Sequence, residues 1–185
     1  MLARREAVTL RVLVESVGTS TMAVYTHFGG MPGLWRAVRQ EGFTRLSERL
    51  ALVDVTPDAV RDLMALGAAY VRNAVANPYL YRAMFDTAAD LENPDAADTG
   101  FQMLVTCATR ARESGRFADS CDPLAVATQL WAAGHGLVML VLSGVLPGEV
   151  LAPYSTGTAQ ALFIAAGDDP DRCWQYVEDG WTLED

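Results

Sequence analysis

Apolar residues recur at helical spacing along almost the whole chain, and no convincing run alternates between apolar and polar positions as a strand does. The first such run spans Leu10 to Val17, with apolar residues spaced i, i+3, i+4 and i+7. Thr9 is the expected N-cap of this short helix, and Gly18 is its expected end. The pattern predicts an all-helical protein.

A second short helix is predicted after Ser20, which is a good N-cap residue. Its Val24 and Phe28 point to one side, which we expect to be the core. A break rich in glycine and proline follows at 29–33, and apolar residues at i+4 spacing then predict a longer helix through 34–50.

The rest of the chain repeats the pattern of cap, apolar run and helix breaker. The Thr56 hydroxyl as N-cap and Pro57 at the first position predict a helix start, and the total is about nine helices. We expect a head over 1–52 and an all-helical body over 53–185. The predicted body helices cover 57–76, 78–88, 94–114, 122–146, 150–167 and 169–180.

Two stretches of the body carry no formal charge. The first, 124–146, has 23 residues and is long enough to cross a bilayer. Polar residues and three glycines interrupt it, however, and no arginine cluster flanks it. The second is 150–167. Two neighbouring helices that are apolar nearly all round are best covered by a second copy, so we predict a homodimer through about 122–144 and 150–167, with a membrane span as the alternative.

The charge is distributed unevenly. The chain has a net charge of −9, but residues 1–50 carry +3 and the remainder carries −12. A basic head on an acidic body is a polarity that could orient a protein on nucleic acid. Three cysteines at wide spacing, without a secretion signal, indicate reduced thiols in a cytoplasmic protein and not a disulfide framework or a zinc site.

The sequence contains none of the common catalytic motifs. There is no G-x-S-x-G elbow, no phosphate-binding G-x-x-x-x-G-K-[ST] loop and no H-E-x-x-H. Helix capping accounts for the carboxylate pair Asp168 and Asp169. We therefore predict a protein that is not an enzyme and needs no metal or cofactor.

The two short helices joined by a glycine turn are typical of a helix-turn-helix, whose second helix enters the DNA major groove. The alternative is an ordinary helix pair, which is common in all-helical proteins. The candidate DNA contacts on the second helix are small, hydroxyl-bearing or able to meet phosphates and thymine methyl groups. They are Ser20, Thr21, Met22, Tyr25, Thr26 and His27.

The run V-G-T-S-T-M-A-V-Y-T-H-F-G, followed by L-W-R-A-V, closely resembles the tetracycline-repressor-like (TetR) family of bacterial regulators. The body resembles the subgroup with a Trp-His-Gly signature, which reads W-A-A-G-H-G here and is joined by N-P-Y-L-Y-R-A-M-F at 77–85. The resemblance implies an all-helical homodimer that represses transcription at operator DNA until a small molecule binds the body. It also implies that Thr9 and Arg11 face the DNA.

Two departures from the family pattern concern the head. The family has a long first helix, whereas about eight residues precede Thr9 here, and Met31 and Pro32 replace a lysine and an acidic residue. We hypothesise a start codon placed too late or a real truncation. The second case gives the alternative function, a helical dimer that binds a ligand or protein partner and has lost DNA binding.

Apolar and aromatic side chains cluster in the middle helices of the body. Most such residues are simply core, but this set includes polar-tipped aromatic rings and adaptable methionines. A pocket lined in this way suits a flat, largely apolar effector held by a few hydrogen bonds, which would shift the helix at 57–76 against the head. The candidates are Met64, Tyr70, Met84, Phe85, Phe101, Trp131, His135 and Met139.

Overall fold

The computed structural model describes residues 9–86, 91, 93 and 95–182, without the side chains of 95–97. This part of the chain forms nine α-helices and one short 3-10 helix and contains no strand, so the all-helical prediction is confirmed. The helices are α1 Leu10–Val17, α2 Thr21–Phe28, α3 Met31–Leu50, α4 Ala59–Ala76, α5 Pro78–Met84, α6 Asp95–Glu113, α7 Pro123–Leu142, α8 Leu151–Ala165 and α9 Pro170–Thr182, with the 3-10 turn at Gly148–Val150. The expected shortening of the family's first helix concerns residues 1–8, which lie outside the described residues.

Helix α4 forms the centre of the body, where α6, α7, α8 and α9 pack around it. Its Val60, Leu63 and Met64 are almost completely buried. The helix begins at Ala59 and not at the predicted Pro57, because the Asp58 carboxylate accepts the Val60 and Arg61 N–H groups, each at 3.1 Å. This cap satisfies backbone donors that have no partner inside the helix.

A buried ion cluster joins the start of α4 to the loops before α7 and α9. Arg116 makes two hydrogen bonds to Asp168, at 2.7 and 2.8 Å, and a third to Asp58. All three side chains are buried. Asp168 is therefore an ion-pair partner and not the predicted helix cap; only Asp169 caps α9, through the Arg172 N–H. Burial lowers the pKa of Arg116, but the two carboxylates more than offset this and the net pKa is raised.

A second cluster fixes the loop between α3 and α4. Asp62 accepts hydrogen bonds from the Thr56 hydroxyl at 2.6 Å and from Arg110 of α6 at 2.9 Å. Arg110 also donates to the Thr56 carbonyl at 2.5 Å. The hydrogen bond from Arg110 to Asp62 is the largest cause of the raised pKa of Arg110. Thr56 thus anchors the loop to the body, although the sequence predicted it as the helix cap.

Helix α3 packs against α2 at one end and against α5 and α6 along its length. At Gly42 of α3, an added Cβ would lie 2.3 Å from Cγ of Met84, so the absence of a side chain is what lets α5 approach. Because α3 contacts both parts of the molecule, the division into a head over 1–52 and a body over 53–185 stays a prediction.

Candidate functional site

The first two helices form a compact helix-turn-helix. Gly18 and Gly29 end α1 and α2 in the left-handed region, with φ of 68° and 69°, which favours glycine. At the other ends, the Thr9 and Ser20 hydroxyls accept the Val12 and Ala23 N–H groups at 3.4 and 3.1 Å. These two predicted DNA-facing residues therefore also serve as N-caps.

Helix α2 presents its surface outward. Val24 is its buried residue, whereas Met22 and Tyr25 are 71% and 59% exposed. The predicted contacts Thr21, Thr26 and His27 are exposed too, as is Arg11 on α1, which pairs with Glu15 at 3.1 Å. Phe28 is 38% exposed and not in the core as expected, because it ends α2 where the chain turns away at Gly29.

Close backbone contact fixes the position of α2 on α3. An added Cβ at Gly33, in the first turn of α3, would lie 1.7 Å from the carbonyl oxygen of Phe28 at the end of α2. No side chain fits at that distance. The angle between the exposed helix and α3 therefore depends on a glycine at this position.

A cavity of about 530 Å³ lies between α3, α4, α6, α7 and α8. This volume falls within the range of small-molecule sites. The wall is mostly apolar and includes six aromatic side chains. Five of the eight predicted ligand residues lie on it: Met64, Tyr70, Phe85, Phe101 and Trp131.

The other three predicted ligand residues lie behind the wall. Met84 is fully buried against Gly42, and Met139 packs partly buried against the core. His135 lies behind Tyr70, to whose hydroxyl its Nδ1 is hydrogen-bonded at 3.0 Å, and its ring packs 4.3 Å from the ring of Phe85, centroid to centroid.

Sequence reasoning missed the contributions of α3 and α8 to the cavity. On α3 the i, i+4 apolar pattern gave no sign that its residues face a cavity and not solid core. On α8 the uncharged stretch indicated only a partner surface. The missed residues include Arg39, Phe43, Leu46, Ser47 and Leu50 of α3, Asp98 of α6, and Tyr154, Ser155 and Thr158 of α8. Within the described residues, the buried hydroxyl oxygen of Ser155 has no hydrogen-bond partner.

Four side chains form a hydrogen-bonded cluster on the cavity wall and behind it. Trp131 Nε1 donates to the Tyr70 hydroxyl at 3.2 Å, which lies 2.6 Å from the Tyr81 hydroxyl. The Tyr81 hydroxyl lies 2.7 Å from Nδ1 of His135. All three contacts are satisfied when Trp131 donates to Tyr70, Tyr70 donates to Tyr81, and Tyr81 donates to Nδ1 of His135. Because Nδ1 then accepts a hydrogen bond, we assign the ring proton of His135 to Nε2.

Burial sets the protonation states of this cluster. It raises the pKa of Tyr70 to about 12, raises that of Tyr81 further, and lowers the pKa of His135 below 6.5. Both tyrosines therefore stay protonated, and His135 stays neutral at neutral pH. The cluster offers a ligand an uncharged, polar patch in an apolar cavity.

We expect His135 to make folding stability depend on pH. Its native pKa is lower than its unfolded value of 6.5, so the unfolded chain binds more protons between the two values. Its contribution is complete above the unfolded pKa and is lost as the pH falls below it. Between about pH 7.5 and about pH 5.5, the free energy of unfolding measured in urea should fall more for the parent than for His135→Gln. Equal losses would contradict this role.

Helix α3 connects the cavity to α2 directly. Its first turn holds Phe28 through Gly33, and its second half supplies Phe43, Leu46 and Leu50 to the cavity wall. Twenty residues of α-helix span about 30 Å. Arg39 Nε also donates to the Met84 carbonyl at 2.7 Å, which ties α3 to α5.

The surfaces of α7 and α8 are uncharged and poorly covered. Neither helix contains Asp, Glu, Arg or Lys; the one titratable side chain on α7 is the half-buried His135. Among the described residues, α7 is the one helix that is long and apolar enough to cross a membrane. Only 22% of its most apolar 18-residue stretch is buried within the chain.

A second groove of about 770 Å³ lies on the other side of α3 and is more polar. It is lined by charged side chains of both signs, including Arg45, Glu48 and Asp54, and is less suited to an apolar ligand. The three cysteines are free thiols, and no group of three metal-ligating side chains occurs in the residues described here.

Residues 63–162, more than half of the chain, match the family model of the tetracyclin repressor-like C-terminal domain. A comparison with curated proteins finds no match.

Three solved structures share the fold over most of their length. A protein with unknown function from Rhodococcus sp. RHA1 has a TM-score of 0.75 and 23% identity, with 90% of each chain covered. RolR without ligand has a TM-score of 0.60 and 16% identity, with 95% of this chain and 89% of RolR covered. PfmR, a TetR family transcriptional regulator from Thermus thermophilus, has a TM-score of 0.57 and 18% identity, with 88% of this chain and 91% of PfmR covered.

Proposed function

The chain belongs to the tetracyclin repressor-like family, and from this premise we propose that it is a DNA-binding transcriptional regulator that a small aromatic ligand releases from its operator. Members of this family are regulators and not enzymes. The observation that carries the proposal is the course of α3, which touches the exposed helix α2 at one end and lines the apolar cavity at the other.

DNA recognition is assigned to α2. Its exposed Thr21, Met22, Tyr25, Thr26 and His27 supply a hydroxyl, methyl and ring surface suited to base edges and phosphates. Because Val24 is its buried residue, the helix can enter a major groove without disturbing the core.

The ligand class follows from the cavity wall. Six aromatic rings favour a flat, mainly apolar molecule, and Tyr70 and Ser155 supply hydroxyls for a small polar group. Arg39 and Asp98 have opposite charges, so the wall has no excess of either sign. We infer an uncharged aromatic effector that acts by displacing α3, together with α4, from the position that suits DNA.

The partner of the α7–α8 surface is assigned as a second copy of the chain. Proteins of this family generally dimerise and bind DNA. A two-fold pair presents two α2 helices, and their separation must match about one turn of DNA. We place the working protein in the cytoplasm, where its operator and its free thiols would both be expected.

We expect Tyr25→Ala to weaken binding of a duplex from the region upstream of the gene by about tenfold, the cost of about 1–3 kcal/mol for one good DNA contact. Fluorescence anisotropy at fixed salt measures the affinity. Tyr79→Ala is the matched control, because Tyr79 is exposed on α5 in the body. Equal effects of the two substitutions would contradict the assignment of α2. A dimer that binds no DNA would instead support a ligand-binding role.

Ligand binding is tested with 2-naphthol as the first member of a panel of uncharged aromatic compounds. We expect a binder to raise the Tm and to release the duplex. Gly67→Leu is the control. Gly67 lines the cavity, and an added Cβ there would meet no atom within 4 Å. We therefore expect the leucine side chain to occupy the cavity and exclude the ligand. This variant should keep DNA affinity and lose the response. A response that survives in Gly67→Leu would place the ligand elsewhere.

A further inference from the structure

Two tyrosine hydroxyls and one histidine nitrogen lie so close together that a proton must lie between each pair. The oxygens of Tyr70 and Tyr81 are 2.6 Å apart, and the Tyr81 oxygen is 2.7 Å from Nδ1 of His135. At these distances two lone pairs would repel each other, so each gap holds one proton. Tyr81 is completely buried and carries a single hydroxyl proton, which fills only one of the two gaps.

Two arrangements of protons fill both gaps and use the Tyr81 proton. In the first, Tyr70 donates to Tyr81, and Tyr81 donates to an unprotonated Nδ1 of His135. In the second, a protonated Nδ1 donates to Tyr81, and Tyr81 donates to Tyr70. The second leaves the Tyr70 proton without an acceptor on a mainly apolar wall, which is costly. The first directs it inward, where the Tyr81 oxygen at 2.6 Å and Nδ1 at 3.0 Å are both acceptors, so the first is favoured.

The Tyr70 hydroxyl can then interact with a ligand only as an acceptor. A hydroxyl has one proton and two lone pairs. The proton of Tyr70 goes to Tyr81, and Trp131 Nε1 donates to one lone pair at 3.2 Å. One lone pair remains, on a side chain that lines the cavity. A ligand N–H or O–H group can pair with it, whereas a carbonyl or ether oxygen would face it lone pair to lone pair.

Aromatic rings of the cavity wall lie next to this acceptor. The ring centroids of Phe101 and Phe85 are 5.7 and 6.4 Å from that of Trp131, and all three side chains line the cavity. Because Trp131 is hydrogen-bonded to Tyr70, a flat ring that packs against these side chains has its edge close to the Tyr70 oxygen. The polar atom that matters is therefore the one on that edge.

We propose that Tyr70 recognises the effector as a hydrogen-bond donor, so that the cavity selects aromatic molecules with an N–H or O–H group over those with only a carbonyl or ether oxygen. His135 is a positioning residue, because its unprotonated Nδ1 sets the direction of the hydrogen bonds from behind the wall. The inference rests on the proposed function, which makes this cavity the effector site.

Three bicyclic compounds of similar size test the preference. Indole donates a hydrogen bond, 1-indanone only accepts one, and indene does neither. Isothermal titration calorimetry with the full chain at neutral pH measures each affinity. The parent should bind indole about tenfold more tightly than indene, as expected for one good hydrogen bond between neutral groups. Tyr70→Phe keeps the ring and loses the acceptor, so it should remove this advantage and leave the affinities for indene and 1-indanone unchanged.

Ser155→Ala is the matched control. Ser155 also carries a hydroxyl on the cavity wall, and its buried oxygen has no hydrogen-bond partner within the described residues. This variant should keep the preference for indole over indene. A role of Tyr70 in packing alone would instead weaken the binding of indole and indene to the same degree in Tyr70→Phe.

His135→Phe should reverse the preference. Without Nδ1 as an acceptor, the Tyr81 proton turns to Tyr70, and the Tyr70 proton becomes available to a ligand. The affinity for 1-indanone should rise and that for indole should fall. In the parent, nitrogen-15 NMR should show the ring proton of His135 on Nε2. The chain has two histidines, so His135→Phe also assigns the signal.

Several outcomes would overturn the inference. Indene that binds the parent as tightly as indole would overturn the donor preference and leave the proposed function intact. A ring proton on Nδ1 of His135 would overturn the direction of the hydrogen bonds. A parent that binds none of the three compounds overturns the inference, whereas the ligand class of the proposed function falls only if 2-naphthol fails too. If His135→Phe does not fold, Tyr70→Phe and the NMR spectrum of the parent still decide.

Discussion

Replacing Arg116 by methionine should lower the free energy of unfolding by about 3–5 kcal/mol, one of the two largest effects we expect from a single substitution. Arg116 is 4% exposed and bridges Asp58 and Asp168, which are 8% and 5% exposed. Without the guanidinium, the buried Asp168 carboxylate loses both hydrogen bonds from Arg116, and the buried Asp58 carboxylate keeps only the half-exposed Arg172 as a cation. Urea unfolding at neutral pH measures the change.

Arg172→Met is the matched control for this cluster. Arg172 reaches the same Asp58 carboxylate at 3.3 Å, but its side chain is 54% exposed. Solvent screens such a pair, so its loss should cost less than about 1 kcal/mol. If the two substitutions had similar effects, the cluster would contribute through packing and not through charge.

Gly33→Ala should abolish specific DNA binding while the body stays folded. The added Cβ would lie 1.7 Å from the carbonyl oxygen of Phe28, so α2 must move relative to α3. A displaced recognition helix loses several base contacts, and because each is worth about 1–3 kcal/mol, affinity should fall by at least about a hundredfold. Fluorescence anisotropy with the upstream duplex measures the affinity, and circular dichroism measures the retained helix content.

The same substitution at Gly67 of α4 is the control. An alanine Cβ there meets no atom within 4 Å, so the helix should gain roughly 0.5–1 kcal/mol and DNA affinity should not change. Unchanged DNA affinity in Gly33→Ala would show that the turn between α2 and α3 adapts without loss of function.

The helix-turn-helix could be predicted from sequence because its signals are local. The Thr9 and Ser20 caps and the left-handed glycines at positions 18 and 29 act within one turn of the backbone, and each lies where it was expected. The start of α4 was predicted two residues early because Thr56 and Asp58 are both good caps. Asp62, one turn inside α4, and Arg110, far along the chain on α6, both engage Thr56 and leave the cap to Asp58.

The cavity was only partly predictable. Aromatic composition identified Tyr70, Phe85, Phe101 and Trp131, because large aromatic rings are conspicuous in a helical body. Met84 is also large and apolar and was predicted with them, but it packs behind the wall against Gly42. Whether an apolar side chain borders a cavity or fills the core depends on the separation of helices, and helical periodicity carries no information about that separation.

The sequence by itself determined the all-helical class, the short helix α2 and the uncharged stretches of α7 and α8, since these depend on periodicity, caps and composition over a few turns. The tertiary structure alone decided that Asp168 pairs with Arg116 and that Trp131, Tyr70, Tyr81 and His135 share one hydrogen-bonded chain. It also decided that α3 joins the exposed helix α2 to the cavity. These relations connect residues up to 65 positions apart, and they exist only once burial has made an unpaired polar group too costly to leave without a partner.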